Sequence, residues 1–310
     1  MKAVRIHEYG HADVLQIDEI PIPEIGEDEV LVKIYATSIN PVDWKVREGY
    51  MQGRNVHKLP LILGWDFSGV VMKRGNEVHN LQIGDEVYSR PAFERNGTYA
   101  EFIAVKANEV ALKPKSLTHN QAACIPLTGI TAWESLITTA NIQYGQRVLI
   151  HAASGGVGTL AVQLAKAKGA KVIGTTSAAN FELVKALGAN EVIDYRNQDF
   201  SELLTDVDVV FDTMGGDIME KSWKVLKKGG ILVSIAGDPS LETAAQYGVR
   251  GSSVFIGPNV AVLNELTALI DGGEIKPVIS AVFSLDDIKE AHKYSETGHV
   301  NGKIVIEVVK

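Results

Sequence analysis

The stretch Arg147-Val148-Leu149-Ile150-His151-Ala152-Ala153-Ser154-Gly155-Gly156-Val157-Gly158 limits what this chain can fold into more than any other. Val148 to Ile150 is a short apolar run of buried-strand length. An Ala/Gly turn follows it, and Thr159 to Lys166 then carry apolar residues at helical spacing until Gly169. Strand, glycine turn and helix in that order are the setting in which glycines signal a dinucleotide site. Gly155 and Gly156 leave room for a pyrophosphate to approach the backbone, and Gly158 lets the helix lie close to the strand. Ser154, Gly155, Gly156, Val157 and Gly158 are therefore candidate cofactor contacts, with the free N–H groups of the helix start turned to phosphate. The turn points to a cofactor and leaves the reaction open.

The surrounding pattern supports that setting. Strands are expected near Val148–His151, Lys171–Thr175, Glu191–Asp194, Asp208–Asp212, Ile231–Ile235 and Val254–Ile256, with helical segments such as Phe181–Leu187, closed by Gly188, between several of them. Six strands alternating with helices imply an α/β fold with a doubly wound parallel sheet. Residues before about 120 read differently. Short alternating strands, such as Val30–Ala36, are separated by Gly, Pro and Asn turns, which is the punctuation of a β-rich domain. The tail, with Glu274–Pro277 and Lys303–Val308, reads β-like again. The expected division is a β-rich domain over 1–122, a dinucleotide domain over 123–260, and a return of 261–310 to the first. There is no internal repeat.

Charge and cysteine content narrow the partners. With 310 residues and 45% hydrophobic content the chain can bury two cores, and a net charge of -8 disfavours nucleic acid or an anionic membrane. One cysteine, Cys124, excludes an intrachain disulfide and argues for a reducing compartment. The first residues alternate like a strand, without the apolar core of a signal peptide. No apolar run reaches the ~20 residues that span a membrane. A cytoplasmic location is expected.

The second strand selects the cofactor. NAD-binding folds place an Asp or Glu about 20 residues past the glycines to hold the ribose 2′-hydroxyl. Here the strand ends Gly174-Thr175-Thr176-Ser177, without a carboxylate. A carboxylate would repel a 2′-phosphate, whereas the hydroxyls of Thr176 and Ser177 can bond to it, so NADP(H) is expected. The alternative, ordinary turn hydroxyls, stays open because no Arg adjoins them. Tyr195 and Arg196, just past the third strand, offer a stacking ring and the missing cation.

Several short motifs follow one another in a fixed order: Asn40-Pro41-Val42-Asp43-Trp44-Lys45, Gly64-Trp65-Asp66-Phe67-Ser68-Gly69, Gly84-Asp85-Glu86-Val87, Gly97-Thr98-Tyr99-Ala100-Glu101-Phe102 and Gly129-Ile130-Thr131-Ala132. The glycine turn, Asp212-Thr213-Met214-Gly215-Gly216 and the closing Gly302-Lys303-Ile304-Val305 complete the set. Each is weak alone. By their order and spacing the chain resembles, over its whole length, the zinc-free quinone oxidoreductase and 2-alkenal reductase branch of the medium-chain dehydrogenase/reductase superfamily. The resemblance implies a GroES-like β-rich catalytic domain, a Rossmann domain binding NADP(H), and a substrate cleft between them. A homodimer paired through the sixth sheet strand, near Val254, is also what it suggests.

Departures from the zinc-dependent relatives define the chemistry. Those enzymes carry a catalytic Cys where Asn40 stands, and Gly-His-Glu where this chain has Gly64-Trp65-Asp66. A catalytic zinc needs three protein ligands, and the lone Cys124 supplies neither that cage nor a four-Cys structural site. No metal is expected. Without a metal to stabilise an alkoxide, the hydride acceptor must already be electron-poor, as quinones and α,β-unsaturated carbonyls are. The enolate or phenolate that forms needs hydrogen-bond donors and a proton.

The resemblance places Asn40 and Asp43 near the nicotinamide, although both also suit a plain turn. Lys45 stands close to where relatives often have a Tyr. Partly desolvated it would stabilise an enolate and give up a proton, and otherwise it is a solvated lysine. Tyr50 is a second donor candidate or a core-edge aromatic. Thr131 begins a helix, either as its cap or as a cofactor contact. Gly237, Phe255 and Ile256 follow strand ends, where open α/β sheets bind ligands. Asn301 and Lys303 reach the cofactor's adenylate end by resemblance, and Lys303 reads otherwise as an edge-strand lysine.

Two decoys are set aside. His7-Glu8-Tyr9-Gly10-His11 matches a zinc-protease pattern that works only on a helix, and here it leaves a strand and contains Gly10. Ala152–Gly156 resembles a nucleophile elbow, but Val157-Gly158 and the pattern after it fit the dinucleotide turn better. A short-chain dehydrogenase is disfavoured because no Tyr is followed by Lys four residues on. The leading expectation is an NADPH-dependent reductase of quinones or conjugated enones and enals. Its rival is an NADPH-binding sensor or scaffold with little turnover, which would retain the same glycine turn.

Overall fold

The computed structural model describes residues 1–54 and 56–309. The chain divides into two compact units. The first consists of Met1–Leu127, Gly257–Gly273 and Pro277–Lys310, and the second of Thr128–Ile256 and Glu274–Lys276.

Eight strands open the chain: β1 (Lys2–Ile6), β2 (Leu15–Glu19), β3 (Glu29–Ile39), β4 (Leu61–Ile62), β5 (Phe67–Arg74), β6 (Glu86–Ser89), β7 (Phe102–Lys106) and β8 (Ala111–Leu112). Six belong to the second unit: β9 (Arg147–Ile150), β10 (Lys171–Thr176), β11 (Glu191–Asp194), β12 (Val207–Asp212), β13 (Leu226–Ser234) and β14 (Arg250–Ser253). Two more, β15 (Ile279–Ser284) and β16 (Lys303–Glu307), return to the first unit.

In the first unit, β1 pairs with β2 and β4 in a three-stranded sheet, and a seven-stranded sheet runs β15-β16-β3-β5-β6-β8 with β7 also on β3. β3 is its spine. Val30, Val32 and Ile34 alternate onto one face and pack with Phe67, Val71, Val87, Ile103 and Val105. Burying each such side chain stabilises by roughly 1.5–3 kcal/mol. β16 runs antiparallel to β3, with Ile304 opposite Ile39 and Val305 opposite Ser38. This pairing brings the chain's C-terminal strand to the end of β3, where Asn40 follows.

The second unit is a six-stranded sheet of order β11-β10-β9-β12-β13-β14 in which every pair is parallel. Strand order reverses between β9 and β12, and the glycine turn leaves β9 at the carboxyl end there. Open parallel sheets bind ligands at that point. Leu149, Ile173, Val210, Leu232, Phe200 and Trp223 fill the core. The helix Gly156–Ala167 presses Leu160, Ala161, Val162, Leu164 and Ala165 inward. Gly188 ends the helix Phe181–Leu187 in the left-handed conformation (φ 119°), as its position implied.

Some sequence expectations differ from the structure. The sixth strand is Arg250–Ser253, not Val254–Ile256. It lies at the sheet edge, where pairing does not demand an apolar run. Glu274–Pro277 is not a strand, and β15 begins only at Ile279. Thr131 sits inside the helix Pro126–Trp133 rather than at its start, because Pro126 supplies the first helical position. Among the described residues no helix is long and apolar enough to cross a membrane.

Candidate cofactor and catalytic sites

In the second unit the glycine turn is shaped by close approach. A Cβ on Gly158 would stand 2.2 Å from the Ala152 carbonyl oxygen and 2.8 Å from Ala153 Cα, so only glycine lets the helix start so near the strand. Gly155 caps the helix in extended conformation, and Gly156, Val157 and Gly158 form its first turn. Their N–H groups precede the first helical hydrogen bonds, leaving them for an anion.

Hydroxyls gather beside this turn. Thr176 Oγ1 donates to Ser154 Oγ at 2.8 Å. Asn180 Nδ2 reaches both Ser154 Oγ (3.3 Å) and Ser177 Oγ (3.2 Å). Thr176 is buried and Ser177 half-buried, so Ser177 is the more accessible of the two predicted hydroxyls. Asp194 lies opposite Thr176 in the β10–β11 register, but its carboxylate accepts from Arg196 N and Asn197 Nδ2 in its own loop. Tyr195 and Arg196 are exposed, with the guanidinium 5.8 Å from the ring centroid, so they stand as a ring and cation together. Gly237 and Phe255 are exposed and Ile256 half-buried, each just past a strand end.

In the first unit a dense polar cluster surrounds Asn40. Asn40 precedes the helix Pro41–Arg47, with Pro41 at its first position. Asp43 Oδ2 accepts the Asn40 N–H at 2.8 Å, so the segment is a helix start rather than a plain turn. The Asn40 side chain does not cap that helix. Its Nδ2 donates to Asp66 Oδ2 at 2.7 Å, and its Oδ1 accepts from Lys303 Nζ. Asp66 also accepts from Ser38 Oγ (2.9 Å) and Leu127 N (2.7 Å), and its burial lifts its pKa against the opposing pull of Lys303. Lys303 Nζ also donates to the Ile39 carbonyl at 2.7 Å and lies 3.5 Å from Asp66 Oδ2. The edge-strand reading of Lys303 is therefore corrected, since β16 lies between β15 and β3. Its ammonium bonds to Asn40 and lies beside Asp66. Asn301 is half-buried in the turn before β16.

Asp43 continues the network. Tyr99 Oη donates to Asp43 Oδ2 at 2.7 Å, His292 Nε2 lies 3.3 Å from Tyr99 Oη, and Arg47 Nη1 lies 3.1 Å from His292 Nδ1. Among the described residues Asp43 Oδ1 has no partner. Burial pushes the Asp43 carboxyl up to about 7, although the Asn40 N–H, the Tyr99 hydroxyl and Lys303 favour its charge. Burial and the adjacent Arg47 push His292 down to about 3, so it is neutral near pH 7.

The two expected proton donors stand outside this cluster. Asp43, Val46 and Arg47 face inward from the helix, which leaves Lys45 on the exposed side. Its ammonium lies 5.7 Å from the Trp44 ring, so the partly desolvated lysine is not found. Tyr50 is 71% exposed, edge-on to Trp44. Asp66, Tyr99, His292 and Asn180 were not singled out from sequence. Asp66 and Tyr99 at least lie within two of the ordered motifs. His292 had no signal, and Asn180 needed the turn geometry. His7 and His11 pair with Asp18 and Glu48 outside any α-helix, which removes the protease reading.

Comparison with known proteins follows the same outline. Residues 26–115 match the alcohol dehydrogenase GroES-like domain family, and residues 187–306 the zinc-binding dehydrogenase family. The donor set does not fit that second description. Asn40 already bonds through both ends of its amide, Trp65 has an N–H and no lone pair, and among the described residues no three His, Cys, Asp or Glu side chains gather for a metal. The chain is 38% identical to a 2-methylene-furan-3-one reductase of Solanum lycopersicum, over all of this chain and 79% of that protein. It is 39% identical to an NADPH-dependent alkenal/one oxidoreductase, chloroplastic, of Arabidopsis thaliana, over 99% of this chain and 79% of that one. The quinone oxidoreductase structure from Coxiella burnetii superposes with a TM-score of 0.94 at 37% identity, covering 100% of this chain and 99% of that one. Matched along its whole length in both sequence and fold, the chain belongs to the quinone oxidoreductase and alkenal/one reductase branch of the medium-chain dehydrogenase/reductase superfamily.

Proposed function

We propose that the chain is an NADPH-dependent reductase that delivers hydride to a quinone or an α,β-unsaturated carbonyl. The observation that carries this reading is the hydroxyl and amide group of Ser154, Thr176, Ser177 and Asn180 beside a glycine turn too close-packed for any Cβ at Gly158. These residues fit NADP(H). The first turn of the helix Gly156–Ala167 would hold its pyrophosphate, and Ser177, Asn180, Tyr195 and Arg196 its 2′-phosphate. Thr131, Gly237, Phe255, Ile256 and Asn301 remain proposed contacts. When bound, the cofactor supplies the hydride.

The chain's own residues supply orientation on the acceptor side. Lys303 and Asp66 hold the Asn40 amide from opposite ends, so its direction is set before any acceptor arrives. We propose that this preorganised amide lies beside the acceptor, with Asp43 positioning it through the backbone. Lys45 and Tyr50, both solvent-exposed, are left as sources of a proton carried by water.

NADPH consumption measured with a 1,4-quinone and a 2-alkenal in separate assays is expected to show turnover. NADH should be about 10- to 100-fold poorer, as loss of bonds to a charged phosphate implies. Tight NADPH binding without turnover on either acceptor would overturn the reductase reading in favour of a sensor. Equal affinity for the two cofactors would overturn the assignment of Ser177 and Arg196. The single buried cysteine supports a reducing location, and we place the protein in the cytoplasm, which fractionation of cells checks. Edge strand β14 is the surface we propose for homodimer pairing, and sedimentation should then report the mass of two chains.

A further inference from the structure

Arg90 is a buried cation that the cluster around Asn40 does not use. It follows β6 by one residue. Ser89 pairs with Phe67 across β5 and β6, so Arg90 stands one step further on beside Asp66, the carboxylate that holds Asn40. Only 4% of Arg90 is exposed. A guanidinium has five N–H donors. Here Nη1 donates to the Pro91 carbonyl at 3.2 Å, and among the described residues Nε has no partner and no carboxylate closes an ion pair with the guanidinium.

Buried donors of this kind are normally satisfied, and leaving them unmade costs free energy. The neighbouring carboxylates are already engaged. Asp66 accepts from Ser38, Asn40 and Leu127, and Glu109 Oε2 accepts from Ala92 N. Asp66, Glu94, Glu109 and Asp43 still act on Arg90 through space, opposing the downward pull of its burial. A neutral oxygen that acquires charge during reaction suits such open donors, because its bond to Arg90 strengthens as the charge develops.

We propose that Arg90 donates to the carbonyl oxygen of the hydride acceptor and stabilises the enolate that forms there. This rests on the reductase reading above. Hydride brings its electron pair to the β-carbon, the C=C pair shifts toward the carbonyl, and negative charge collects on oxygen. Arg90 keeps its proton throughout, and water protonates the α-carbon.

Arg90→Met is expected to lower kcat/KM by about a hundredfold, mostly in kcat, the scale for removing one oxyanion donor. NADPH affinity should not change. Arg90→Lys, which keeps charge without the planar fork, should recover part of the rate. A readout without turnover uses 4-nitrophenol, whose phenolate resembles the enolate. Bound to the wild-type protein with NADP+, its ionisation midpoint should fall by about one pH unit, and Arg90→Met should abolish the fall. A midpoint that is unmoved, or a probe that does not bind, overturns the proposal. So does an Arg90→Met protein with kcat within twofold of wild type. Should Arg90→Met fail to fold, Arg90→Lys and the wild-type titration decide. A wild-type protein that shifts nitrophenol but reduces no quinone or alkenal would refute the reductase reading and leave the oxyanion site standing.

Discussion

Lys303→Met is expected to lose about 3–5 kcal/mol of stability, the usual cost of removing one partner from a buried ion pair. Lys303 is 4% exposed and Asp66 fully buried. In wild type the ammonium neutralises Asp66 while bonding to Ile39 O and Asn40 Oδ1. The variant would leave Asp66 with neutral donors only, and burial would drive its carboxyl higher still. A carboxyl whose folded pKa is raised favours folding at low pH and loses that contribution as pH rises through the folded value. The Lys303→Met deficit should therefore shrink on acidification. Asp66→Asn placed on top should restore much of the loss, because the uncompensated charge is gone. Thermal melts of the two single variants and the double variant make a complete cycle. A loss below about 1 kcal/mol, with additive variants, would show that the pair contributes nothing beyond packing.

Asp43→Asn should show the second large effect, as a change with pH rather than at one pH. Asp43 titrates at about 7 in the folded chain against an ordinary 3.8, because burial opposes its charge. The raised folded value means that Asp43 favours folding fully below its ordinary range. That contribution disappears as pH climbs through about 7. A shift of this size corresponds to roughly 4 kcal/mol. Asparagine does not titrate and keeps an oxygen for the Asn40 N–H or the Tyr99 hydroxyl. Relative to wild type, Asp43→Asn should therefore gain stability by about that amount from acidic to mildly alkaline pH. Denaturant midpoints across that interval test it, and a flat difference would mean that folding leaves the Asp43 titration unchanged.

Both effects arise in a cluster that sequence reading only partly exposed. Asn40 and Asp43 were visible, although their spacing with Pro41 is better read as a helix start than as a turn. Lys303 was visible as a motif member, but its bonds to Ile39 and Asn40 were not, because those partners lie 264 and 263 residues away in the chain. Lys45 looked chemically apt, but helical periodicity puts Asp43, Val46 and Arg47 inward and turns it to solvent. Edge strand β14 was displaced by a few residues because Arg-Gly-Ser-Ser carries no apolar signature. Arg90 and His292 gave no local sign, since burial and missing partners are not written in neighbouring residues.

Local order was determined by the sequence alone. Strand, glycine turn and helix, the glycine stop at Gly188 and the absence of a carboxylate on β10 are short-range facts. Backbone geometry, side-chain period and the chemistry of single residues suffice to read them. Tertiary structure decided which charges meet. Only the antiparallel register of β16 and β5 on β3 brings Lys303 and Asp66 to the residue after β3, and that of β6 on β5 sets Arg90 beside Asp66. Electrostatics inside a fold depends on distance and desolvation, and neither exists until the strands have paired.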